Sequence, residues 1–163
     1  NISYSSIETM SEMMQDYGFA KGYQLIYKFH PAEEPSDYSK FYNSGEFINH
    51  KSNKSIYDLI KECNIVVGTV STAVLESTAY GKPVIQFIPE EFRNSIAKSH
   101  NYSNLGVLCS YTKSDLISKI DRLVEDDDYL KLCLKNQKKV SNLVFGDFKH
   151  SVDNIIDYMN KNE

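Results

Sequence analysis

Several things are missing from this sequence, and each absence closes off a class of protein. No run approaches the roughly 20 apolar residues that a membrane-crossing helix needs, and no leader pattern opens the chain. Basic residues are not in excess: 18 Lys and Arg stand against 22 Asp and Glu, a formal charge of −4. A nucleic-acid-binding domain would carry a basic stripe. The one local cluster, Lys135, Lys138 and Lys139, reads as the solvated face of a helix. Cysteine is scarce. Cys63, Cys109 and Cys133 are odd in number and lack metal-ligand spacing, so they read as small buried side chains of a reducing, cytoplasmic compartment. A Gly-x-Gly-x-x-Gly fingerprint, a paired catalytic carboxylate set, a Ser-His-Asp set and a metal cluster are all absent. The triplet Asp126-Asp127-Asp128 sits between two expected helices and reads as a capping turn.

What is present is an alternation of strands and helices along 163 residues, enough for one domain with a substantial core. Ser5-x-x-Glu8 has the form of a capping box, followed at helical spacing by Ile7, Met10, Met13, Met14 and Tyr17. Residues 23–29 are rich in β-formers and stop before Pro31, which predicts a strand. Residues 46–48 form a weak strand after a polar stretch. Ser55 caps a helix with Ile56, Leu59, Ile60 and Cys63 on its apolar face. Strands are expected at 65–67, 84–88 and 106–109, with a helix over 71–80 that Gly81 and Pro83 terminate. Thr112 caps a helix with Leu116, Ile117, Ile120, Leu123 and Val124 inward. A second helix runs from about 128 to 144, and Ser151 opens a third. Short, nearly continuous apolar strands alternating with helices predict an α/β fold: a Rossmann-like parallel sheet covered on both faces, with extra C-terminal helices.

In such sheets ligands bind beyond the carboxyl ends of the strands. Two motifs fall on that rim. The first is Lys28-Phe29-His30-Pro31. The second comes after the strand at 65–67: Gly68, a small-residue turn, Ser71 and Thr72 at a helix start, and Glu76 one helical turn on. A helix N-terminus leaves N–H groups unpaired and carries partial positive charge, so it can hold a phosphate. Glu76 is offset to suit the vicinal hydroxyls of a ribose. Each residue also has a plain structural reading. Hydroxyls cap helices, His30 closes a strand, Lys28 snorkels out of one, and Glu76 faces solvent. Their convergence on one rim is what favours the phosphate site. The stretch after residue 88 offers Glu90, Glu91, Arg93, Asn94, His100 and Asn101 as specificity residues without choosing among them. His50 and His150 read as surface positions.

The combination Lys-x-His-Pro, then Ser-Thr-x-x-x-Glu-x-x-x-x-Gly-Lys-Pro-Val-Ile, resembles the C-terminal, donor-binding half of GT-B glycosyltransferases. It looks most like bacterial capsule and cell-wall enzymes of the polysialyltransferase and sialyltransferase kind and the CDP-glycerol glycerophosphotransferases. The motifs span residues 23–110. The resemblance implies that His30 stabilises the leaving nucleotide as the catalytic residue, with Lys28 as a weaker second. Gly68, Ser71 and Thr72 would bind the donor phosphate, and Glu76 the ribose. It implies no metal and no cofactor beyond the nucleotide-activated donor, and a glycan or polyol acceptor. GT-B enzymes have two Rossmann-like domains. Residues 1–163, starting at Asn1 with no strand before the first helix, are therefore expected to be the C-terminal piece of a two-domain protein, inactive alone. Its full-length form could associate peripherally with a membrane. A UDP-N-acetylglucosamine 2-epimerase shares the fold, but its turn typically reads Ser-Gly-Gly with paired Glu residues. A non-catalytic, receiver-like α/β interaction domain would need an Asp at a strand end, where this chain has Phe29-His30 and Val67-Gly68.

Overall fold

The computed structural model describes residues 2–48, 52–96 and 100–146. Among them are the parallel strands β1 (Ile26–Lys28), β2 (Glu46–Ile48), β3 (Val66–Gly68), β4 (Val84–Phe87) and β5 (Leu108–Ser110). The helices are α1 (Ile2–Met13), α2 (Ile56–Glu62), α3 (Thr72–Ala79), α4 (Arg93–Ile96), α5 (Lys113–Glu125) and α6 (Asp127–Phe145). The chain is α/β, with Rossmann-like parallel strands flanked by helices. The sheet is in two parts, however. β1 pairs with β2, and β3, β4 and β5 form a separate ladder in that order.

The alternation of side chains along β4 explains how both faces are covered. Ile85 and Phe87 point into a cluster with Ile7, Met10, Leu116 and Ile120, drawn from α1 and α5. Val84 points the other way, packing with Val74 of α3 and Val140 of α6. Glycine at the end of β3 permits the close approach of α3: a Cβ on Gly68 would lie 2.6 Å from Val74 Cγ2. Local capping matches the sequence at several points. Ser55 and Asp58 form a capping box, Thr112 Oγ1 accepts from Asp115 N–H, and Asp126 Oδ1 accepts from the N–H groups of Asp128 and Tyr129. Gly81 takes a positive φ just past α3, as a C-terminal glycine should.

Two expectations fail. Helix α1 begins at Ile2, so Ser5 lies inside it, with its carbonyl accepting from the Thr9 hydroxyl. The helix extends backwards because Tyr4 packs on Tyr38 and Phe41 at 5.9 and 5.4 Å between ring centroids. Val124 is 54% exposed; the inward face of α5 is already filled by Leu116, Ile120 and Leu123. The helix expected from Ser151, and His50 and His150, lie outside the described residues.

Candidate functional site

A cavity of about 830 Å³ opens at the carboxyl ends of β1 and β3 and runs down between them. Its rim carries His30, Pro31, Thr69, Ser71, Thr72 and Glu76, and Lys28 and Gly68 also line it. The six site residues expected from the sequence (Lys28, His30, Gly68, Ser71, Thr72 and Glu76) therefore border one cavity.

His30 comes just after β1 and is exposed. Three bonds fix its turn. The Glu33 carboxylate accepts from the His30 N–H (2.6 Å), the His30 carbonyl accepts from Glu33 N–H (2.9 Å), and His30 Nδ1 accepts from Ala32 N–H (3.1 Å). With Nδ1 occupied as an acceptor, the proton of the neutral ring is on Nε2, where it can be donated to a ligand. Glu33 also accepts from the hydroxyls of Tyr27 (2.8 Å) and the buried Tyr38 (2.9 Å). Burial, and then the Glu33 carboxylate, raise both phenols well above the ordinary tyrosine value. Glu33 thus anchors the His-Pro turn to the aromatic core beneath it. Its only signal in the sequence is its position three residues after His30.

On the other side, Ser71 is the N-cap of α3, its hydroxyl accepting from Ala73 N–H at 3.2 Å and its carbonyl from Val74 N–H at 3.1 Å. The Ser71 O–H stays available to donate to an anion, and the N–H of Thr72 is one of the helix's unmatched first-turn donors. Thr72 is the first helical residue and is exposed, so Ser71 alone caps. The preceding turn is held from below. Buried Gln86 donates to the Thr69 carbonyl (3.2 Å) and the His100 carbonyl (2.7 Å), and accepts from Tyr102 N–H.

Glu76 faces Tyr57, whose phenol its carboxylate raises by charge and by hydrogen bonding. Tyr57 lines the cavity and stacks on Tyr80, with centroids 5.9 Å apart and planes at 25°. This stacked pair is a second feature that the sequence did not reveal, since Tyr57 and Tyr80 lie at the ends of different helices. Lys28 does not simply snorkel outward. Its Nζ donates to Ser52 Oγ (3.1 Å) and to the Lys54 carbonyl (3.0 Å), tying β1 to the loop before α2.

The stretch after β4 does not border the cavity. Arg93 pairs with Glu90 and lies over Tyr111, and Asn101 caps the short turn at 102–105. Cys63, Cys109 and Cys133 are free thiols. Burial raises all three, the latter two to about 11, so they stay protonated at neutral pH. Among the described residues no helix is long and apolar enough to cross a membrane, and no cluster of three His, Cys, Asp or Glu side chains could hold a metal ion.

No family model and no curated protein matches the chain. Among solved structures it is similar to a crystal structure of UDP-N-acetylglucosamine 2-epimerase, with a TM-score of 0.54 and 13% sequence identity. The match covers 88% of this chain and 41% of that one, so this chain spans under half of that structure. At such low identity the likeness is one of fold: parallel strands flanked by helices in a Rossmann-like arrangement.

Proposed function

We propose that this chain is a nucleotide-sugar domain, the donor-binding half of a two-domain GT-B transferase that builds a bacterial surface polysaccharide. One observation carries the reading: the Nε2–H of His30 and the capped N-terminus of α3 border the same cavity from opposite strands. That pairing suits a diphosphate between the two. In this reading the α3 amides, the Ser71 hydroxyl and the Nε2–H of His30 bind the phosphates. Glu76 accepts from the ribose hydroxyls, and the open face of Tyr57 is near enough to Glu76 to meet the base.

The reaction is a substitution. An acceptor hydroxyl attacks the anomeric carbon (or the glycerol-linked phosphorus), the bond to the nucleotide breaks, and its oxygens take up negative charge. Donors already aimed at those oxygens stabilise that charge without reorganising. The acceptor site and the base belong to a partner domain. A UDP-N-acetylglucosamine 2-epimerase would use the same donor site and differ in the chemistry after the nucleotide departs.

Calorimetric titration of the full-length protein with CMP, CDP, UDP and GDP tests this. Binding of one nucleoside diphosphate is expected, weakened about tenfold or more by His30→Ala and by Ser71→Ala, each removing a charge-assisted hydrogen bond. No binding of any of them at millimolar concentration would refute the donor site and leave a non-catalytic domain. Release of N-acetylmannosamine from UDP-N-acetylglucosamine without an acceptor would identify an epimerase instead.

A further inference from the structure

β4 is a run of four buried residues, and its one polar member, Gln86, is 0% exposed. A primary amide inside a fully buried strand costs desolvation unless both of its ends are paired. Gln86 stands opposite Gly68 in the ladder and, by the alternation of β4, on the same face as Val84. Its Nε2 donates to the Thr69 carbonyl (3.2 Å) and to the His100 carbonyl (2.7 Å). Its Oε1 accepts from Tyr102 N–H (2.9 Å), with the Cys109 thiol 3.4 Å from the same oxygen. The amide cannot be turned over, since its oxygen would then meet two carbonyls and its nitrogen an N–H. Each hydrogen-bonding position of the side chain is committed, and none is left for a ligand.

One of these bonds bears on the cavity. Thr69 and Ser71 line it, whereas Gln86, His100 and Tyr102 stand behind it. Thr69 follows β3 directly, and Ser71, two residues later, caps α3. So short a turn ties the Thr69 carbonyl to the Ser71 hydroxyl, and moving one moves the other. We infer that Gln86 is a positioning residue for the phosphate site. It pins the turn from Thr69 to Ser71 so that the Ser71 hydroxyl and the Thr72 N–H face the cavity, and it never touches the ligand. The inference rests on the nucleotide reading and adds to it a residue outside the cavity. Preorganised donors work because their geometry is fixed before the ligand arrives. Released from Gln86, the turn would spread those donors over several orientations. Gln137 supplies the contrast. It is equally buried and holds the other end of β4 through Val84 N–H and the Val84 carbonyl, away from the cavity lining. Loss of either glutamine leaves buried backbone groups unpaired, but only loss of Gln86 frees a turn of the site.

Calorimetry with CDP, UDP and GDP on the full-length protein tests this, alongside Gln86→Met, Gln137→Met, Ser71→Ala and the Gln86→Met/Ser71→Ala double variant. Methionine is unbranched and of similar length, and lacks both ends of the amide. Gln86→Met should weaken the best-binding diphosphate about tenfold and Gln137→Met less than about twofold, for comparable losses in urea midpoint. On the Ser71→Ala background the effect of Gln86→Met should shrink to about threefold or less, because both act through one turn. Equal weakening by the two methionine variants would overturn the inference. So would wild-type affinity in Gln86→Met, or full additivity of Gln86→Met and Ser71→Ala. A readout in the wild-type protein covers a variant that fails to fold. The NMR signals of the Gln86 side-chain amide should shift with the Ser71 and Thr72 amides when the diphosphate is added. Shifts at Ser71 and Thr72 with Gln86 unmoved would overturn the positioning role and leave the donor site in place. No binding by the wild-type protein would overturn the donor site itself, and the positioning role with it.

Discussion

β3 and β4 are adjacent strands of one ladder with nearly the same apolar content, yet their surroundings differ. Every residue of β4 is fully buried, from Val84 at 0% exposure to Phe87 at 1%. Every residue of β3 is only half-buried. The difference is the number of neighbours, since β4 has a strand on each side and β3 on one. Where β5 is too short to reach the start of β4, the protein supplies a substitute. Buried Gln137 of α6 accepts from Val84 N–H (3.1 Å) and donates to the Val84 carbonyl (2.8 Å), as a neighbouring strand would. Among the described residues the open edge of β3 has no such surrogate and faces the cavity.

The largest expected contrast comes from truncating one side chain in each region. Phe87→Ala should cost about 3–5 kcal/mol, whereas Ile26→Ala, at a residue already 37% exposed, should cost less than about 1 kcal/mol in the 163-residue chain. Urea denaturation decides this, and similar losses at both sites would remove the contrast. Gln137→Leu keeps the volume but leaves both Val84 backbone groups unpaired, for about 2–5 kcal/mol. A loss near zero by the same measurement would mean that water serves Val84 equally well. Gly68→Val brings a branched side chain against Val74 at the mouth of the cavity. It should cost about 1–3 kcal/mol and weaken nucleotide binding together with stability.

The smallest effect is in the pH dependence. Burial first, and then Asp121 for Tyr23 or Glu33 for Tyr27 and Tyr38, hold these phenols above the ordinary 10.0, Tyr23 at about 12. The folded state therefore binds their protons more tightly than the unfolded chain. That stability is complete below about pH 10 and is lost as pH rises from there through the folded values. Melting temperatures should hold to about pH 9.5 and then fall, less steeply in Tyr38→Phe. An equally steep fall in that variant would contradict the assignment.

Much of the fold was legible because its signals are local. Ser55, Thr112 and Gly81 mark helix ends wherever they occur, since each satisfies or permits backbone geometry within a single turn. The rim positions of His30, Ser71, Thr72 and Glu76 came from strand ends in the same way. The Gly81-Lys82-Pro83 run proved partly architectural: Lys82 Nζ binds the Lys61 and Cys63 carbonyls at the end of α2, and the Pro83 carbonyl accepts from Val66 N–H. Misread positions were those decided from far away. Ser5 lost its cap because Tyr4 found Tyr38 and Phe41, distant along the chain. Glu33, Gln86, Gln137 and Tyr57 carried no signal, because a polar or aromatic residue shows its role only once its partners are in place.

The sequence by itself determined the alternation of strands and helices, their caps, and the two motifs at the strand ends, since each depends on period and on neighbours along the chain. Only the tertiary structure decided that the strands form two ladders with a cavity between them. Strand pairing joins distant residues, and an apolar strand reads the same whether its edge is taken or open. The tertiary structure also decided that one cavity gathers His30 and Ser71 at its rim, because that depends on how far apart β1 and β3 lie.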